Sequence, residues 1–590
     1  MCLTTSCISY LQKIQLHESK RRQLSALQKA LRKISSARFS CNVSFLIEIE
    51  AFVVGKTDIN ARVVRFAWWT LGTIVFALVI AIRIRLLGIP LERDEGEYAY
   101  AGQLILQGVP PYKLAYNMKF PGTYAAYALV MSIFGQTIHA IHLGLLLVNA
   151  ATIALIFLIG RRLIDSTAAI AAAACYAVLS LSPSVLGLAS HATNFVMLPV
   201  LGGTLLMLNV RESEQHRFTR LCISGLLFGI GVLMKQPAFL FIPFAVIYIG
   251  WNDAQRRFPI KKILVRILTF GIGAVLPMAI TCVILWRAGV IDKFWFWTIN
   301  YAWQYGSLVP MSQAPRIFYA NATQIVETDW PLLVMAGIGV FSGLWNQRMR
   351  ASTLFLIGFL FFSALALCPG FYFRTHYFIL ALPAVSLLAG TAISKLSQTL
   401  AAQMILIRFV PLLLFAVALS FPILLDKKIF FEVSPNQACA TIYPENPFLE
   451  SVRIADYLRD HTGPDDTIAV LGSEPEIYFY SNRHSATGYI YTYGLMEPQK
   501  YAQQMQREMI REIEDARPKY LISVAMAYSW LRRSDSEPSI FTWANEYMAQ
   551  NYVVDSLVNI TPSEIDYFFE NVPPSVESLK DYILIYRRTP

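Results

Sequence analysis

Charged side chains are scarce in this 590-residue chain, at 15% of the total, where a soluble domain carries about a quarter. Hydrophobic residues fill 55% of it and the mean hydropathy is +0.46. A soluble globule is excluded, and a polytopic membrane protein is expected. The net charge of +11 does not point to nucleic acid, because the basic residues lie in short blocks between apolar runs. That is the pattern of cytoplasmic loops, not of a phosphate-tracking groove. Cysteine is sparse, with eight residues and no CxxC spacing, which speaks against a zinc or thiol-redox centre. Only Cys368 and Cys439 fall in segments expected to be exported, where a bridge between them is left open. Internal repeats and low-complexity linkers are absent. Residues 1–60 lack a clean apolar core with a small-residue cleavage site, which argues against a cleaved secretory signal. With nine Lys/Arg against four Asp/Glu they read as a basic cytoplasmic extension, 1–61, amphipathic around 24–34.

Long apolar runs are plentiful. They fall at about 66–88, 138–160, 167–188, 194–210, 219–235, 237–251, 263–286, 330–346, 351–368, 377–394 and 404–425. The stretch 121–135 is different: fifteen residues at a rise of about 1.5 Å cover roughly 22 Å, short of a hydrocarbon core of about 30 Å. Charge decides its status. If it does not span, then Arg161-Arg162, the group Arg211, Arg217 and Arg220, the group Arg256, Arg257, Lys261 and Lys262, the pair Arg348 and Arg350, and Lys395 all fall inside. If it spanned, every cluster would move outside. The expected fold is therefore a polytopic α-helical membrane domain, 62–425, of about 11 spans, with interfacial helices in the first outside loop.

Beyond it, 426–590 is richer in charge and mixes strand-like runs (467–471, 520–524, 552–558, 582–586) with helical periodicity (446–459, 498–515). This reads as a soluble extracytoplasmic α/β domain.

The first outside loop opens with Leu91-Glu-Arg-Asp94-Glu95-Gly-Glu97-Tyr98, which packs four acids and an arginine next to a span. Acids kept beside a membrane are costly and mark function by default. Part of this motif has a local explanation. Asp94 with Glu97 three residues on resembles the capping start of a helix over 95–107, ended by Gly108-Val-Pro-Pro. Capping leaves Glu95 unexplained. Adjacent carboxylates at the exit of a span fit a general base with a neighbour that holds a metal or orients an acceptor. Partial burial is expected to raise one of their pKa values.

Four further segments carry chemistry or a bland alternative. Lys119, before Pro121 in the same loop, either binds a phosphate at headgroup depth or snorkels to the interface. Arg374 and His376, in Phe371-Tyr-Phe-Arg374-Thr-His376-Tyr377, offer a planar fork for phosphate and an imidazole for a metal or oxyanion; the alternative is an aromatic belt with an arginine anchor. His191 and Asn194 are polar residues at a span entrance with loop capping as their bland explanation, and Lys235-Gln-Pro237 either reads lipid headgroups or, the favoured reading, makes the turn of a hairpin.

In this order the motifs resemble those of the GT-C glycosyltransferases, in particular family 39 and its bacterial relatives, the protein O-mannosyltransferases and lipid A aminoarabinose transferases. The resemblance rests on Arg93-Asp94-Glu95-Gly-Glu-Tyr98-Ala-Tyr, Gly108-Val-Pro-Pro-Tyr112, Lys119-Phe120-Pro121, Lys235-Gln-Pro237 and Arg374-Thr-His-Tyr377-Phe-Ile-Leu-Ala-Leu-Pro383. In the tail it rests on Pro464-Asp-Asp-Thr-Ile468 and Gly472-Ser-Glu-Pro-Glu476. It covers about 62–525. Two departures stand out: Phe120 replaces a proline, and Ser190-His-Ala-Thr-Asn194 lacks the acid many relatives carry. That second departure leaves the metal and the acceptor class open.

The resemblance implies inverting transfer of a sugar from a polyprenyl-phosphate donor to a lipid, glycan or protein acceptor. Asp94 is then the base, with Glu95 beside it as a neighbour or metal ligand. Lys119 and Arg374 clamp the donor phosphate, and Glu97, Tyr98 and His376 serve the acceptor or a metal. A divalent cation is the one cofactor left open. It also implies a bacterial inner membrane, with the N-terminus cytoplasmic and the C-terminal domain extracytoplasmic. The rival reading, a transporter or flippase, would place ionisable residues at the midplane of spans and often in repeats.

Overall fold

The computed structural model describes residues 43–209, 217–347, 349–561, 565–572 and 579–590. Arg211, Arg348 and the amphipathic stretch around 24–34 lie outside them. The chain divides into two compact units at Phe66/Ala67. Among the described residues the first holds only the beginning of the helix Val43–Arg85. The site and, apart from the first turns of that helix, all that follows belong to the second unit.

Among the described residues, eight helices are long and apolar enough to cross a membrane: Asn60–Arg85, Ile138–Leu163, Ala192–Asn209, Arg217–Met234, Gln236–Gln255, Ile260–Arg287, Ala314–Trp345 and Ile405–Leu425. Each coincides with one of the eleven apolar runs. Two other runs form shorter apolar helices, Ser166–Leu179 and Arg350–Leu365, and the run 377–394 begins in a 3-10 turn and continues as Leu382–Leu400. The protein is thus a polytopic helical membrane protein.

Burial separates central from lipid-facing helices. Most of Ala192–Asn209 is enclosed, whereas Ile260–Arg287 leaves Leu264, Leu268, Val275 and Ile280 exposed. An apolar face turned outward fits a hydrocarbon solvent, which imposes no penalty on it. The helix Gly122–Phe134 has 13 residues, about 20 Å at 1.5 Å per residue, too short to span. It is tied to the site instead: Thr123 donates to the Met234 carbonyl, Tyr124 to Glu97 and Tyr127 to the Ser190 carbonyl.

The C-terminal domain carries a five-stranded sheet of order β1-β2-β5-β3-β4: β1 Ile468–Leu471, β2 Tyr520–Ala525, β3 Tyr552–Ile560, β4 Ile565–Phe569 and β5 Asp581–Arg588. β1 and β2 are parallel and the other pairs antiparallel. Four strands match the runs read from sequence. β4 does not, because its Ile-Asp-Tyr-Phe-Phe has no clean alternation and every residue is half-buried. The helices Phe448–His461 and Ala502–Ala516 fall where periodicity puts them, within a few residues. Cys368 and Cys439 are free thiols, so the bridge left open by the sequence is not formed.

The acidic helix is wedged between this domain and the membrane helices. Arg93 donates to the Ser473 carbonyl and to Asn446 and forms an ion pair with Glu474 at 3.1 Å. Behind it, a Cβ on Gly96 would lie 2.7 Å from the Glu476 nitrogen. Only glycine permits that approach of helix and domain.

Candidate active site

The helix begins two residues earlier than the sequence suggests, at Arg93, and its cap is Glu92, not Asp94. Glu92 Oε1 accepts from the Glu95 amide at 3.0 Å, and Glu95 Oε2 accepts from the Glu92 amide at 3.2 Å. The capping role assigned to Asp94 and Glu97 is therefore corrected. A pair shifted by two residues does that work, because Glu92 is the residue with extended backbone.

This shift assigns the four acids distinct tasks. Glu95, 1% exposed, accepts from the Ser190 amide at 2.5 Å and pairs with His142 Nε2 at 3.0 Å. With both oxygens committed and no place in the cavity lining, Glu95 holds the loop before Ala192–Asn209 and is not set to touch substrate or metal. Glu97 is fully buried and accepts from Lys119 (2.6 Å), Asn117 (2.9 Å) and Tyr124 (2.5 Å). Asp94 is the one acid of the motif that lines a cavity, which has a volume of about 230 Å³.

Lys119 Nζ lies 2.8 Å from Asp94 Oδ1, and the Tyr491 hydroxyl donates to the same oxygen at 3.4 Å. Lys119 also sits 4.6 Å above the Tyr98 ring, a cation–π contact. Arg374 and Lys235 line the same cavity, Lys235 Nζ lying 4.1 Å from the Tyr377 ring. Tyr491, Tyr493 and Glu497 enter it from the C-terminal domain. The cavity thus gathers two acids, three cations and an aromatic wall from loops distant in sequence.

The charges act on one another. Burial works to raise the Asp94 pKa, but Lys119, with His191 behind it, holds that carboxyl well below the usual range. The expected upward shift is therefore reversed for Asp94 and falls on Glu92, pushed up by burial and by Asp94 and Glu95 beside it. Burial lowers Lys235 to about 7, with Asp94 opposing and Lys119 and Arg374 adding to the fall.

His191 and His376, 1% and 5% exposed, stack at 4.1 Å between centroids and 13° between planes. Burial brings His191 down to about 4 and His376 well below its ordinary value, so both are neutral near pH 7. With Asp94 they place potential ligand atoms within 4.8 Å of one another, and neither ring nitrogen of His191 has a hydrogen-bond partner. The donor types suit zinc, but the arrangement does not. Nearly parallel rings send their in-plane lone pairs side by side instead of converging. Asp94 is already paired with Lys119, and Lys235 and Arg374 add like charge.

Of the residues singled out in the sequence, Asp94, Tyr98, Lys119, Arg374 and His376 line one cavity, while Glu95 and Glu97 stand behind it. Lys235, which local pattern makes a turn, lines the cavity, and His191, which it makes a cap, stacks on His376. Their signal was present in the ordered motifs, since Lys235-Gln-Pro237 recurs in the resemblance. Tyr491 and Glu497 gave none.

The fold is that of the GT-C glycosyltransferases. The undecaprenyl-phosphate-bound ArnT structure from Cupriavidus metallidurans matches with a TM-score of 0.52 at 13% identity, covering 88% of this chain and 98% of that one. The archaeal oligosaccharyltransferase AglB of Archaeoglobus fulgidus, in complex with an inhibitory peptide and a dolichol-phosphate, matches with a TM-score of 0.52 at 14% identity, covering 86% and 75%. The family model described as dolichyl-phosphate-mannose-protein mannosyltransferase matches residues 119–286. A curated relative from Pseudomonas aeruginosa (strain UCBPP-PA14), an undecaprenyl phosphate-alpha-4-amino-4-deoxy-L-arabinose arabinosyl transferase, is 25% identical over 303 residues, 49% of this chain and 52% of the relative. The chain therefore spans about half the length of the curated relative it matches.

Proposed function

We propose that this protein is an inverting glycosyltransferase of a bacterial inner membrane. It moves a sugar from a polyprenyl-phosphate donor to a hydroxyl acceptor on a lipid, glycan or protein. The cavity and the C-terminal domain face the extracytoplasmic side and the N-terminus the cytoplasm. The observation that carries this reading is the convergence of Asp94 with Lys119, Lys235 and Arg374 on one cavity.

Asp94 takes the acceptor proton as the oxygen attacks the anomeric carbon, and the lipid phosphate leaves from the opposite face. A phosphate is a stable leaving group. The three cations therefore suffice to receive its charge, with no acid needed to protonate it. In the resting site Asp94 is a poor base, because Lys119 neutralises it. An arriving phosphate competes for Lys119 and loosens that pair, so the base strengthens only when donor is bound. Glu97 keeps Lys119 in place during the exchange, and Tyr98 supplies the ring beneath it. No step runs through a metal, because the histidine stack does not present a converging ligand set.

The relatives' names support a polyprenyl-phosphate donor, since undecaprenyl phosphate and dolichol-phosphate are bound to ArnT and AglB. The test is transfer by the purified full-length protein from a panel of polyprenyl-phosphate sugars. At least one labelled sugar should pass to an acceptor with inverted anomeric configuration, and transport without transfer would contradict the reading.

A further inference from the structure

Glu497 is the second carboxylate in the cavity lining, and the reaction described above gives it no task. It follows the short helix Tyr493–Met496 of the C-terminal domain. The Tyr301 hydroxyl, from the membrane domain, donates to Glu497 Oε2 at 2.7 Å. Among the described residues, Glu497 forms no ion pair and Oε1 has no donor. Burial pushes this carboxyl up to about 7, against the pull of Tyr301, Arg533 and Arg374. Glu497 is half-buried, so the oxygen that Tyr301 leaves free can meet a donor that enters the cavity. The half-buried rings of Tyr305 and Tyr491 line the same cavity, backed by the buried Trp297 and Tyr301. Rings that take the C–H face of a pyranose, next to a carboxyl that accepts a hydrogen bond once ionised, make a sugar-binding chemistry. A few placed polar groups in an otherwise apolar pocket are what fix orientation and specificity.

We infer that Glu497, oriented by Tyr301, reads the transferred sugar by accepting a hydrogen bond from one of its O–H or N–H groups, while Lys119, Lys235 and Arg374 hold the phosphate. This rests on the transferase reading and adds a residue that selects the sugar. It also gives the C-terminal domain a share in substrate recognition, since the selecting group is brought by that domain. A site that hydrogen-bonds a substrate hydroxyl discriminates strongly against the analogue lacking it, because its own polar group is then left unpaired.

The experiment uses the full-length protein with its best polyprenyl-phosphate sugar and the mono-deoxy or deamino analogues of that donor, measuring transfer and, separately, donor binding by tryptophan quenching. Wild type should prefer the parent over one particular analogue by about 100-fold in kcat/KM. E497A should lose that preference by falling on the parent and not on the analogue; E497Q, which keeps an accepting oxygen, should retain part of it. Thermal unfolding of each variant verifies the fold, and Y301F, which removes the orienting bond and leaves the carboxylate, supplies a milder second variant. If E497A lowers every donor by one factor, or none, the inference is overturned. If wild type transfers no donor, the transferase reading falls, and the binding series alone then decides whether Glu497 distinguishes the sugars.

Discussion

Lys119 Nζ lies 2.8 Å from Asp94 and 2.6 Å from Glu97, so a single ammonium holds the cavity-lining acid and the buried one. Burial would make Asp94 a stronger base, and Lys119 makes it a weaker one; the ammonium wins. On the proposed mechanism the resting site therefore keeps its base masked, and donor phosphate unmasks it.

Removing the ammonium separates these effects. Lys119→Ala should raise the donor KM at least about 10-fold, as lost phosphate stabilisation demands. It should also move the acid limb of the pH profile upward, because burial of Asp94 is then opposed only by the weaker pull of His191 and Lys235. Steady-state kinetics across pH 4 to 8 checks both. An unchanged donor KM would count against the phosphate role.

Lys235 governs the alkaline side. Its ammonium is present below about 7 and is lost as pH rises through that value. Donor kcat/KM should fall above about pH 7. Lys235→Arg should carry the limb several units higher, since a guanidinium stays charged. A limb that stays in place in the arginine variant would assign it to another group.

Arg93 secures the C-terminal domain against the acidic helix. Arg93→Ala leaves Glu474, fully buried, without its cation, and breaking such a pair costs about 3–5 kcal/mol. The unfolding midpoint should drop clearly. The double variant Arg93→Met with Glu474→Leu should recover much of the loss, and equal loss in both would mean that packing, not charge, is at stake.

Metal removal should leave turnover unchanged. The stacked pair His191 and His376 lies side by side, at 13°. Incubation with a chelator followed by metal analysis and assay checks this, and loss of transfer restored by zinc would contradict it.

Much of this fold is legible from the chain because lipid simplifies the pattern: eight apolar runs coincide with spanning-length helices, and the 121–135 segment is too short by arithmetic alone. Strands β1, β2, β3 and β5 announce themselves as β-branched and aromatic runs. The site is legible where charge is costly, at Asp94, Lys119 and Arg374. Elsewhere local patterns mislead. The acids at 92, 94, 95 and 97 support two overlapping capping pairs, and only the backbone of Glu92 shows which one forms. Lys235 looks like a hairpin turn, and Glu497 reaches the cavity from a separate domain, a placement that no spacing encodes.

The central claim is that Asp94 is the base, and single-turnover transfer by Asp94→Asn, with donor preloaded, tests it most directly. The substitution keeps the size of the side chain and removes the charge. The account predicts donor binding within a few-fold of wild type and a transfer rate lowered by about 100-fold or more. A transfer rate like that of wild type, with donor bound, would contradict it.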